Sequence, residues 1–136
     1  MLNFRTIDAD RLKNRFTGQC LTRGTTGLVV QPCGESNQRW DRWIQNKPFF
    51  FLHGLHNEGA WRSTNRCLSV RQNKKTKEYN LISAQCDYSS AVQEWDEYKE
   101  NIYNVKSNLH LNVNKDGKVF LSKESGPTSK WFFIRD

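Results

Sequence analysis

Short apolar runs alternate with polar turns along the chain, and no apolar period of helical type persists for long. Strand-like runs fall at 27–31 (GLVVQ), 66–70 (RCLSV), 80–85 (NLISAQ), 109–114 (LHLNVN) and 118–122 (KVFLS). Between the last two, Asp116-Gly117 supplies residues that tolerate positive φ and predicts a tight hairpin. The most apolar stretch, PFFFLHGLH at 48–56, is too short to span a bilayer and reads as a core strand leading into a long loop. Near the start, DADRLKNRF at 8–16 predicts one helical turn and little more.

Three segments overlay. They are 17–40 (TGQCLTRGTTGLVVQPCGESNQRW), 63–95 (from STNRCLSV to AVQEW) and 105–131 (VKSNLHLNVNKDGKVFLSKESGPTSKW). Each has a polar entry, a Leu-centred strand, a turn, a second apolar strand, and a polar turn that closes on a tryptophan. The third has lost both cysteines and the glutamine of the Gln-x-Trp close. Repetition of this size predicts threefold pseudosymmetry. One such unit cannot bury its apolar face alone, so the three must share one core. The expectation is a single all-β domain over 1–136, with lobes at roughly 1–45, 46–99 and 100–136.

Composition agrees with a folded, polar-surfaced domain. At 136 residues the chain can bury about two thirds of its unfolded surface. Hydrophobic residues make up only 36%, but five Trp, eight Phe and four Tyr add large apolar area per residue. The net charge of +7 comes from scattered Lys and Arg and reads chiefly as solubility, with a mild preference for anionic partners. Four cysteines permit three pairings, and their spacing alone selects none. Cys20 and Cys33 bracket one strand-turn-strand unit and Cys67 and Cys86 another, which argues for pairing between neighbours. Zinc-type spacing is absent, so the reading is two disulfides and an oxidising compartment. The start of the chain has no hydrophobic segment of signal-peptide type. A secreted or extracellular protein without its leader is therefore expected.

The repeated Cys-Leu, Cys and Gln-x-Trp pattern resembles ricin-type lectins, over nearly the whole chain. The resemblance implies a β-trefoil, six strands in a barrel and six in capping hairpins. It implies that Trp40, Trp95 and Trp131 are core residues, while Gln38 and Gln93 bind the backbone of their own turns. In galactose-binding members an Asp follows the Cys-hydrophobic pair and an aromatic ring stands two places before the second cysteine. Those positions hold Thr22, Ser69 and Asn112, then Gln31, Ala84 and about Leu121. Asn37, before Gln38, keeps the family's polar residue in lobe one, whereas lobe two has Val92.

In layout the chain is similar to the cysteine-rich domain of the mannose receptor family: two disulfide lobes, a cysteine-free third lobe and a close like KESGPTSKW at 123–131. That likeness implies a third-lobe pocket for a sulfated sugar, with Thr128 at the position of the stacking ring. Asn114 and Lys115 in the loop NKDGK, and Lys123, Thr128 and Ser129 in the closing segment, are the candidate carbohydrate contacts, with Thr22 and Asn37 in lobe one. The A subunit of cytolethal distending toxins is a more distant resemblance.

Glycans or glycoproteins are thus the expected partners, with an anionic polysaccharide as a further candidate. A protein-binding trefoil, such as a cell-binding toxin subunit or a protease inhibitor, is the alternative. Nucleic acid is disfavoured, because exposed aromatics are not interleaved with Lys and Arg. No catalysis and no cofactor are expected. His53, His56 and His110 lack a partner motif, with His53, His56 and Glu58 only a weak metal hint, and no phosphate loop or hydrolase elbow occurs.

Overall fold

The structure is a computed structural model that describes residues 10–25, 27–55, 59–62 and 65–135. Its strands are β1 (Asp10–Asn14), β2 (Cys20–Arg23), β3 (Leu28–Gln31), β4 (Trp40–Asn46), β5 (Phe49–Gly54), β6 (Arg66–Gln72), β7 (Tyr79–Gln85), β8 (Trp95–Tyr98), β9 (Asn101–Asn104), β10 (His110–Val113), β11 (Val119–Ser122) and β12 (Trp131–Arg135). β1 pairs with β12 and β4, β4 with β5, β5 with β8 and β8 with β9, all antiparallel. A bridge from Asn101 to Lys130 returns β9 to the foot of β12 and closes a six-stranded barrel. The remaining strands form three hairpins, β2–β3, β6–β7 and β10–β11. This is the expected β-trefoil, each lobe giving two barrel strands and one hairpin.

Trp40, Trp95 and Trp131 are fully buried and share one apolar cluster with Leu12, Leu21, Leu52, Leu68, Ile102 and Leu111. Each indole must hand its N–H to an acceptor when buried. Trp40 Nε1 donates to Leu21 O (3.3 Å), Trp95 to Leu68 O (3.0 Å) and Trp131 to Leu111 O (3.0 Å). The Leu-centred strand of each repeat thus satisfies the tryptophan that ends the same repeat. Burial of one such ring contributes about 4–6 kcal/mol before entropy is charged, an upper figure.

The glutamines hold their turns as expected. Gln38 Oε1 accepts from the amides of Gly34 (2.8 Å) and Glu35 (3.0 Å), while Nε2 donates to Pro32 O (2.9 Å). Gln93 repeats this with Asp87 N (2.7 Å) and Gln85 O (2.8 Å). In lobe three the shorter Ser129 reaches a single turn amide, accepting from Gly126 N (3.0 Å). The Asn101 amide makes up the reach: it lies 2.7 Å from Ser129 Oγ and, oriented to donate, also meets Ser129 O (3.2 Å) and His110 Nδ1 (3.3 Å). His110 opens β10 where Cys20 opens β2, so a polar cluster occupies the ground that a disulfide holds elsewhere. Cys20–Cys33 and Cys67–Cys86 are the two bridges, and they leave no free cysteine.

A second threefold relation links neighbouring lobes. Each tryptophan pairs across the barrel with the last residue of the next lobe's first strand: Trp95 with Asn104, Trp131 with Asn14, and Trp40 with Gly54. Asn104 Nδ2 donates to Val92 O (2.8 Å) and Asn14 Nδ2 to Thr128 O (3.0 Å), satisfying carbonyls of the turn before each tryptophan. Gly54 has no side chain to do this. Instead Arg23 donates to Arg39 O (2.6 Å) and lies over the Trp40 ring at 4.7 Å. The space above Gly54 is taken by Trp61, edge-on to Trp40 at 5.3 Å. Burial of the Arg23 guanidinium pulls its pKa down to about 10, with Asp41 opposing the shift.

Two local expectations are corrected. The segment read as a helical turn is, from Asp10 onward, strand β1. Its burial alternates with period two, Asp10, Leu12 and Asn14 inward, and its partner β12 lies beyond any local sequence window. The β10–β11 tip is also wider than a two-residue turn. Only Gly117 takes positive φ (80°), and Asn114 Oδ1 accepts from the amides of Asp116 (2.9 Å) and Lys118 (3.0 Å). PFFFLHGLH does contain a core strand, β5, while His56 and Glu58 lie outside the described residues. Among the described residues no helix is long and apolar enough to cross a membrane.

Candidate functional site

The turn between β1 and β2 lies against lobe three. Asn14, fully buried, accepts from Thr17 N at Oδ1 (3.0 Å) and from Gly18 N at its main-chain oxygen (2.8 Å), while its amide nitrogen grips Thr128 O. Gly18 closes the turn at φ 69°, a conformation glycine adopts without strain. Arg15 adds a two-pronged pair to Glu100 at 2.8 and 2.7 Å and lies 4.4 Å from the Phe132 ring centre. The hydrogen bonds from Arg15 hold the Glu100 carboxyl below its ordinary pKa. These ties fix a turn whose outermost side chain is Phe16, 68% exposed.

Facing Phe16 is the β10–β11 tip, itself docked on lobe one through Val30 N and Gly117 O (2.8 Å). Between turn and tip lies a solvent-open pocket of about 560 Å³, bordered by Phe16, Gln19, Asn114, Lys115, Asp116 and Thr128 among others. That volume lies in the ~300–1,000 Å³ range of small-ligand clefts. The chemistry is mixed. Phe16 offers an aromatic face, Asp116 a carboxylate acceptor and Lys115 an ammonium donor. The oxygen of the Asn114 side chain is spent on its own turn, which leaves the amide nitrogen to point at solvent or ligand. Thr128 donates to Asn112 Oδ1 (2.5 Å) and keeps its oxygen as an acceptor.

Of the residues expected from sequence, Asn114, Lys115 and Thr128 come together here. The others do not. Ser129 is fully buried beneath the pocket, its hydroxyl spent on Gly126 and Asn101. Lys123 lies in a separate cleft among the cap hairpins. Thr22 is fully buried, donating to Cys20 O (2.8 Å) and accepting from Gln38 Nε2 (3.1 Å). Asn37 is half-buried, with its amide 3.4 Å from Arg23 O, in the lobe where Arg23 already serves the turn carbonyls. Thr22 and Ser129 therefore act as supports, since a ligand cannot reach either hydroxyl.

Phe16 and Asp116 were not singled out as contacts by sequence. The lobe-three positions that carry the ring and the carboxylate in galactose-binding relatives are Leu121 and Asn112. Equivalent groups reach this pocket from other places, the ring from a neighbouring lobe and the carboxylate from four residues further on. The one available signal was a large aromatic residue inside the polar turn NRFTGQ.

A closed six-stranded barrel capped by three hairpins defines a β-trefoil. Residues 8–131 match the family described as Ricin-type beta-trefoil lectin domain, and the chain belongs to that family. Among curated proteins none is similar enough in sequence to register as a relative. Solved structures share the fold. A designed threefold-symmetric protein, ThreeFoil, has a TM-score of 0.69 at 17% identity, covering 93% of this chain and 97% of its own. SeviL, solved with asialo-GM1 saccharide, has a TM-score of 0.68 at 15% identity, covering 96% and 98%. The C-half of an earthworm R-type lectin, solved with GalNAc, has a TM-score of 0.62 at 10% identity, covering 96% and 100%. At such identities the likeness is one of fold.

Proposed function

We propose that the protein is a non-catalytic glycan-binding module whose working pocket is the one between Phe16 and the β10–β11 tip. The observation that carries this reading is an exposed aromatic ring opposite a carboxylate, an amide nitrogen and a hydroxyl. A sugar ring has an apolar face of C–H groups and an edge of hydroxyls, and this pocket offers a partner for each. Asp116 accepts from two neighbouring hydroxyls, while Asn114 Nδ2 donates to a ring substituent. Lys115 favours a sulfate or carboxylate on the sugar, through a charge-assisted hydrogen bond. The layout shared with the cysteine-rich domain of the mannose receptor family supports that anionic preference. Family membership and the saccharides held by SeviL and the earthworm lectin support glycan binding more broadly. Two disulfides support work in an oxidising, extracellular setting.

A glycan array carrying sulfated, sialylated and neutral sugars tests the proposal. Binding to a defined glycan that Phe16→Ala abolishes supports it. Binding unchanged by Phe16→Ala and by Asp116→Asn rejects this pocket.

A further inference from the structure

Where the three cap hairpins converge, a second cleft of about 690 Å³ opens to solvent, sharing no residue with the pocket beside Phe16. Lobe one contributes Gly27 and Leu28, lobe two 77–81, and lobe three Ser107, Leu109 and the β11 side of its hairpin. Its apolar lining is Leu28, Leu81, Leu109, Val119 and Leu121, with Tyr79 alongside. Phe120 stands 41% exposed at the opening. Lys77, Lys118 and Lys123 ring the cleft, all exposed, against one carboxylate, Glu78. Among the described residues none of these three ammonium groups forms an ion pair.

The lining is mixed: Leu28 and Val119 belong to the core, while Glu78, Asn80, Ser107 and the three lysines offer polar groups. An apolar side chain fits against the partly buried Leu81, Leu109 and Leu121, where a sugar hydroxyl would lack a partner. Moreover, β7 pairs through one edge only, with β6, whereas the start of the β11 arm is already bridged to lobe one at Val29 and Lys118. The other edge of β7 offers main-chain groups of the kind an extended peptide uses. The uncompensated lysines favour carboxylates on either side of the anchor. We propose that this cleft binds an extended protein segment in which an apolar side chain is flanked by Asp or Glu. Glycan and protein partner then occupy neighbouring clefts on either side of the β10–β11 tip, with no residue in common.

The test is a titration of the ¹⁵N-labelled chain with an end-blocked peptide carrying a central leucine between glutamates. Saturable shifts of amides in 77–81 and 118–123 are expected. Lys77→Glu with Lys118→Glu should weaken binding about tenfold or more, and a serine-centred peptide should bind more weakly than the leucine-centred one. Both lysines are exposed, so an unchanged spectrum of the free variant establishes that it folds. Absence of saturable shifts overturns the proposal. So does equal binding of the serine-centred peptide, which would leave charge alone as the cause. Shifts of the same amides by a heparin disaccharide but not by the peptide would reassign the cleft to an anionic sugar.

Discussion

The side-chain amide of Asn14 donates to the main-chain carbonyl of Thr128 at 3.0 Å, joining positions 114 residues apart in sequence. It ties the turn that carries Phe16 to the segment that carries Thr128, so one buried residue that touches no ligand sets the width of the candidate pocket. Asn14→Ala should cost about 1–3 kcal/mol of stability, because buried donors and acceptors lose their partners. Glycan retention should fall as well, at temperatures where circular dichroism still reports a folded chain. Full retention on a sugar column would mean that the turn holds its place without this bond.

Phe16→Ala should separate binding from stability in the opposite way. The ring is mostly exposed, so its loss should shift the unfolding free energy by no more than about 0.5 kcal/mol. Glycan affinity, measured by calorimetry, should drop steeply.

Reduction of both disulfides should destabilise lobes one and two. Bridges that close loops of 13 and 19 residues are each worth about 3 kcal/mol in the chain-entropy account. Melting in strong reductant should therefore begin well below the oxidised midpoint. Coincident curves would show that the bridges add nothing to the folded state.

Gly54→Ala should be unusually harmful for so small a change. A Cβ there would stand 2.7 Å from Trp61 Cζ3 and 3.0 Å from Arg23 Cδ. The cluster of Trp40, Trp61 and Arg23 has to move, at about 1–3 kcal/mol. A urea midpoint equal to that of the parent would disprove the tight fit.

Burial, and secondarily the charge of Lys130, keep the His110 imidazole below its ordinary pKa. The unfolded chain therefore binds this proton at a higher pH than the native one does. The contribution of His110 is complete above about pH 6.5 and declines as pH falls below that value toward the folded pKa. His110→Gln should flatten the loss of stability between about pH 7 and 5.5, read as urea midpoints. An unaltered slope would place the acid sensitivity elsewhere.

Much of this architecture could be read from the repeats. Tryptophans at matched places, each two residues after a glutamine or its serine substitute, fixed the number of lobes and the residues of the core. Cysteines flanking single hairpins made neighbour pairing the economical choice. What stayed hidden depends on contacts between lobes. β1 looked helical because its partner is at the far end of the chain. Phe16 looked like part of that helix, although it serves a pocket in lobe three. Thr22 occupies a family ligand position and Ser129 the place of the turn glutamine, and burial diverts both hydroxyls to nearby main-chain and side-chain groups. Arg23 shows the same limit: its role exists only because Gly54, in another lobe, lacks an amide.

The ladder between β1 and β12, which aligns Asp10 with Arg135 and Asn14 with Trp131, also governs biogenesis. During synthesis β1 has to wait for β12, with that hydrogen-bonding edge bare while the residues between them are made. A ribosome stalled before Trp131 would release an unsealed barrel prone to joining its neighbours edge to edge.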